Sequence, residues 1–125
     1  MALLRHELPD GSGHFDWLLA VNLRPGNEER SVVCLRTLVP PWPAPAREAI
    51  LSLERVADHR GLYLCLTAPR ELDERGIAHP VMRGNWRRIG AENRLLIQAH
   101  WSDGSGAVWL FNHALSQATC ADLLG

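Results

Sequence analysis

The segment Pro9-Asp-Gly-Ser-Gly13 most constrains the fold of this chain, because it reverses the backbone between two runs that read as strands. Proline presets one backbone dihedral, aspartate and serine bond to their own backbone, and glycine enters left-handed conformations without steric cost. Residues 2–6 read as the first strand. Residues 14–21 alternate as the second, so His14 and Asp16 project from one face while Phe15 and Trp17 take the other. A hairpin closed by that turn returns His6 beside His14 and Asp16. Two imidazoles and one carboxylate converging on a point can form a divalent-metal site with positions open for water or substrate, while a plain surface pair is the alternative reading of the same spacing.

The rest of the chain continues in short elements. A polar Pro-Gly-Asn turn over 22–30 leads into a third strand over 31–38. Pro40-Pro-Trp-Pro-Ala-Pro45 is too rich in proline for a ladder and reads as a loop, with Trp42 pinning it to the fold. Apolar residues at 46, 50, 53 and 57 form a helical stripe, predicting one helix over 46–57 that caps an open barrel end. Strand signals resume at 62–67, 76–82 and 86–89, and a hairpin joins 95–101 to 107–111 through Ser102-Asp-Gly-Ser-Gly106. Ser116 reads as the cap of a short C-terminal helix. The fold class is therefore mainly β: one compact domain over 1–125, a closed or partly open β-barrel with one or two short helices.

Composition narrows the function. A chain of 125 residues, 46% hydrophobic, suits one globular domain. No apolar run is long enough to span a bilayer and no signal-peptide pattern opens the chain, so no membrane and a cytoplasmic setting are the expectation. Three widely spaced cysteines form no Cys-x-x-Cys pair; Cys34 and Cys65 read as small buried hydrophobes. The net charge of −1 argues against strong sequence-independent nucleic-acid binding. All 13 basic residues are arginine, six of them between Arg70 and Arg94, against the acids Glu71, Asp73, Glu74 and Glu92. That local excess suits a DNA end, although a solvated face explains it as well. His79, His100 and His113 read as surface residues.

A second element bears on the metal triad. Asp58-His59-Arg-Gly-Leu-Tyr63 meets an apolar run, and His59 and Tyr63 are groups that orient a phosphate and handle a proton. His6, then His14-Phe-Asp16, then Asp58-His59 with Tyr63 together resemble the 3′-phosphoesterase module of bacterial end-joining DNA ligases (the ligase D type), and most of all its short stand-alone relatives. Leu3-Leu-Arg-His6 resembles the strand carrying the family's first metal histidine. Leu35-Arg-Thr-Leu before Pro40-Pro41, Ala68-Pro69, Arg75-Gly76 and Arg83-Gly84-Asn85-Trp86 resemble later strands and turns. The likeness runs from about residue 3 to 88 and is loose beyond.

The resemblance implies a compact β-barrel and a manganese-dependent phosphoesterase that trims 3′ ends of nucleic acid, with end-joining repair proteins as possible partners. It implies that His6, His14 and Asp16 hold the metal and that His59 and Tyr63 act at the scissile phosphate; the donor set itself suits Zn²⁺, Co²⁺ or Fe²⁺ as well as Mn²⁺. Ligase-attached members carry an arginine two residues beyond the metal aspartate; here that position is Leu18. The next acidic position is Ala20, the acid after the tyrosine is replaced around Thr67-Ala68, and the loop between the histidines is longer. Leucine at position 18 supplies no phosphate contact, so metal binding with weak or absent phosphoesterase activity is the expectation; an arginine from the 70–94 segment could reach in from another strand instead, with Arg83, Arg87 and Arg88 the first candidates. The alternatives are a non-catalytic nucleic-acid or protein-binding module of the same fold, and a stand-alone phosphatase or nuclease on a small substrate.

Overall fold

A computed structural model of the chain describes residues 1–90 and 93–125, which leaves the Glu92 of the charged segment outside the described residues. Ten strands follow in order: β1 (Ala2–Glu7), β2 (Gly13–Ala20), β3 (Arg30–Thr37), β4 (Ile50–Ser52), β5 (Glu54–Arg60), β6 (Arg70–Glu71), β7 (Ile77–Ile89), β8 (Leu95–Trp101), β9 (Gly106–Phe111) and β10 (Gln117–Leu124). They form one sheet in the order β4-β10-β9-β8-β7-β1-β2-β3-β5, with β6 paired to β7 off that path. The mainly-β expectation holds, but the sheet is not closed into a barrel. Its two end strands are joined through Leu53 alone; β4 pairs with β10 and β5 with β3, never with each other. Leu53 turns inward, 8% exposed, and its amide donates to the Ser116 carbonyl at 2.8 Å.

β7 makes the sheet double back. Its first half pairs with β1 and its second, from Gly84 onward, with β8. The two halves enclose the main core, in which Leu3, Trp17 and Leu35 meet Ile97, Trp109 and Phe111. Trp17 and Trp109 pack edge to face with centroids 5.7 Å apart, the arrangement aromatic quadrupoles favour. The opposite face of β1–β3 carries a smaller cluster of Ala2, Leu4, Leu18, Val32 and Cys34, covered by Tyr63 from a 3-10 turn at Gly61–Cys65. That second face holds the functional candidates.

Four sequence expectations change. The 46–57 helix does not form: Ala46, Ile50 and Ala57 of its supposed apolar stripe are exposed, while Leu51 and Leu53 alternate inward as strand residues. The C-terminal helix is β10, whose Ala118 and Cys120 enter the core; the Asn112 side chain instead accepts the Ser116 and Gln117 amides and tightens the preceding turn. The 62–67 run is the 3-10 turn rather than a strand. The 76–82 and 86–89 strands are one: Gly84, where a Cβ would run into the His100 carbonyl, carries the ladder from β1 on to β8, and Pro80 is tolerated opposite Leu4 where the β1 register shifts. Among single residues, Cys65 is exposed and His79 pairs with Glu7 at 2.8 Å. Trp42 does pin the proline-rich loop, donating to Asp103 at 2.9 Å. Among the described residues no helix is long and apolar enough to cross a membrane.

Candidate metal centre

The first hairpin assembles the triad. The Leu8 amide bonds to the Ser12 carbonyl at 2.7 Å, the Asp10 carboxylate accepts from the Ser12 amide and hydroxyl, and Gly11 takes φ 86°. The resulting register sets His6 directly opposite His14, and Leu4 opposite Asp16. Facing residues across strands are close neighbours, and the two imidazoles meet with centroids 4.8 Å apart. His6, His14 and Asp16 each offer a ligand atom, all within 4.8 Å of one another.

The chemistry of these atoms fits a cation. His6 donates from Nε2 to the Arg75 carbonyl at 2.7 Å, which leaves its Nδ1 as the lone-pair nitrogen. Orientation of a ligating imidazole by a backbone carbonyl on its other nitrogen is typical of metal sites. Burial pushes His14 below the usual imidazole range, the negative charge of Asp16 opposing this more weakly, so the ring is neutral near pH 7. His14 Nε2 lies 3.3 Å from Asp16 Oδ1, and neither buried atom has a hydrogen-bond partner. An orphaned carboxylate oxygen beside an orphaned imidazole nitrogen calls for a partner, and a divalent ion supplies one to both. Ligands held about 2.1 Å from an ion lie at most about 4.2 Å apart, so small side-chain rotations suffice.

His59 and Tyr63 share this face. His59 lies at the end of β5; its Nδ1 donates to the Ala57 carbonyl at 3.1 Å and its Nε2 faces Asp16 Oδ2 at 3.8 Å. The Tyr63 ring stands edge-on to His59 at 5.6 Å, its hydroxyl accepts from Arg60 at 3.4 Å, and the Arg60 and Arg70 guanidinium groups lie over its ring. His6, Asp16, His59 and Tyr63 line one cavity of about 140 Å³ together with Arg30, Arg36, Arg60 and Arg75. Arg36 Nε comes within 4.0 Å of Asp16 Oδ1. Cys34 sits beneath, its thiol pushed well above the usual range by burial first and by the Asp16 charge second.

All five residues of the predicted set thus converge, and the predicted clamp residues do not. Arg83 is exposed opposite Ala2, Arg87 donates to Gln98 at 2.7 Å, and Arg88 borders an apolar pocket between the sheet halves; none lines the cavity. Glu71, Asp73 and Glu74 line a separate pocket with Glu7. Of the arginines that do line the cavity, the alternation of β3 announces two: Arg30, Val32, Cys34 and Arg36 occupy one face. Arg75 is the member of the 70–94 segment that reaches in. Comparison with known proteins finds no match to this chain among family models, curated proteins or solved structures.

Proposed function

We infer that this chain is a divalent-metal-dependent phosphoesterase acting on 3′ ends of nucleic acid in DNA repair, in a cytoplasmic setting, of the kind represented by the ligase D 3′-phosphoesterase module. The observation that carries this reading is the convergence of His6, His14 and Asp16 on one point, beside a cavity that His6, Asp16, His59 and Tyr63 line with four arginines. His6, His14 and Asp16 would hold the ion, Mn²⁺ by preference. When bound, a divalent ion supplies Lewis acidity to a phosphoryl oxygen and lowers the pKa of a water.

The remaining roles belong to the chain. Arg36 and Arg75 face the same space and neutralise phosphoryl oxygens by charge-assisted hydrogen bonds. His59, held by Ala57, presents Nε2 to the cavity, and as the imidazolium it donates the Nε2 proton to the departing oxygen. Tyr63 positions the phosphate, its own orientation fixed by Arg60. A cavity of about 140 Å³ lined by four arginines has room for a phosphate group at the end of a strand.

The test is Mn²⁺-dependent release of phosphate or ribonucleotide from a 3′-end primer-template, beside a generic phosphodiester. Release lost in both His14→Ala and His59→Ala supports the reading. No release with any divalent ion favours the binding-module alternative, to which Leu18 points by replacing an arginine with a buried apolar side chain.

A further inference from the structure

The Asp16 carboxylate has a second set of neighbours. Asp16, Cys34 and His59 also offer three ligand atoms all within 4.8 Å of one another. The two oxygens of Asp16 divide between the groups: Oδ1 lies 3.3 Å from His14 Nε2, and Oδ2 lies 3.8 Å from His59 Nε2. Asp16 is 4% exposed and Cys34 fully buried, so neither is a surface group that meets the other by chance. His59 adds an independent sign. Its Nδ1 donates to a backbone carbonyl, as His6 Nε2 does on the other side, so in the neutral ring a lone pair on Nε2 faces the carboxylate. A lone pair directed at a buried anion is unfavourable unless a cation or proton lies between them.

We propose that Asp16, Cys34 and His59 form a second divalent-cation seat, with Asp16 bridging it to the His6–His14 seat. Its donor set distinguishes it. Thiolate, imidazole and carboxylate together suit a borderline-soft ion such as Zn²⁺ or Co²⁺, whereas two imidazoles and a carboxylate also accept Mn²⁺. Binding exchanges the Cys34 S–H bond for a sulfur–metal bond and releases one proton to the buffer. The seat draws on His59, so filling it withdraws that ring from the phosphate; the two seats therefore serve opposite ends. This inference rests on the metal reading of the first triad but not on phosphoesterase activity.

Cobalt titration of the full chain tests it, in a Cys65→Ser background because exposed Cys65 is an adventitious thiol. Two Co²⁺ per chain are expected, with a near-ultraviolet thiolate-to-cobalt charge-transfer band that accompanies only one of them. Cys34→Ser should reduce the count to one and remove the band; His14→Ala should reduce it to one and keep the band. Cys34→Ala, which places no hydroxyl in the apolar cluster, repeats that arm if the serine variant does not fold. One Co²⁺ without the band overturns the second seat and leaves the first intact. One Co²⁺ with the band also overturns it, because the triads are then alternative positions for a single ion. No binding overturns both seats.

Discussion

His6 gives its Nε2 proton to the backbone carbonyl of Arg75, 2.7 Å away and 69 residues along the chain. Gly76 makes that contact possible. It takes φ 101°, and a Cβ there would run into the Glu7 carbonyl oxygen, so only glycine lets the segment lie against β1. We expect Gly76→Ala to displace the carbonyl and weaken Mn²⁺ affinity about 10–100-fold, the usual cost of losing a partner behind a ligand. Calorimetric titration measures this. Gly104→Ala, at φ 90° in the distant β8–β9 turn with open space around it, strains the backbone equally and should leave metal affinity unchanged.

The pH dependence of the metal-free protein should carry the signature of His14. Desolvation penalises its charged form, so the ring titrates lower in the folded chain than in the unfolded one. Above about pH 6.5 both states hold it neutral and its contribution to stability is fully present. As pH falls further the unfolded chain takes up the proton first, and stability declines until the folded value is passed. Thermal midpoints in chelator between about pH 8 and about pH 5 should fall on the acid side. His14→Gln should flatten that slope, and an unchanged slope assigns it to another group.

The legible parts of this structure were those with a short period and a definite turn. The Asp10-Gly11 reversal fixed the His6–His14 register, and alternation then placed Asp16 beside them. The same turn chemistry recurs at Asp103-Gly104, where the carboxylate again accepts from the serine two residues on. What failed was ambiguous in principle. The stripe at 46, 50, 53 and 57 matches a helix, but Leu51 and Leu53 match a strand equally well, and tertiary burial decided for the strand. The 62–67 run is apolar without a period, so nothing in it separates a strand from the 3-10 turn that holds Tyr63 over the site. The 70–94 segment points to clamp arginines far along the chain, whereas strand pairing brings in Arg36 from directly opposite Asp16.

The Trp42–Asp103 hydrogen bond ties the proline-rich loop to the β8–β9 turn. The Asp103 carboxyl is held below its ordinary value by Ser105 first and by the Trp42 indole after it. A depressed folded value means that the carboxylate's contribution is present above the unfolded value of about 3.9 and is lost as pH falls through the folded one. Asp103→Ala should therefore loosen Trp42 at neutral pH, read as a red shift in its emission, and should abolish the acid-induced part of that shift. Emission identical to the parent at both extremes would show that packing alone fixes the indole.

Leu18 and Arg36 separate the two ways of supplying a phosphate clamp. The resemblance suggests restoring an arginine at position 18, but Leu18 is fully buried against Cys34 and Tyr63, with no opening to the cavity. A guanidinium there has no paired anion, and an uncompensated buried charge costs about 3–5 kcal/mol. We expect Leu18→Arg to lower stability by that order and not to raise the rate, as denaturant unfolding and phosphate release would show. Arg36 already lies on the cavity wall, within 4.0 Å of Asp16 Oδ1 and in reach of a phosphoryl oxygen beside it. Arg36→Gln should lower turnover on a 3′-phosphate about 10²–10³-fold, the loss typical of one transition-state donor. Its KM should change far less than kcat, because the charge it meets is largest in the transition state. A stable, faster Leu18→Arg variant, or an Arg36→Gln variant with parental kcat, would place the clamp elsewhere and make Arg75 the next residue to substitute.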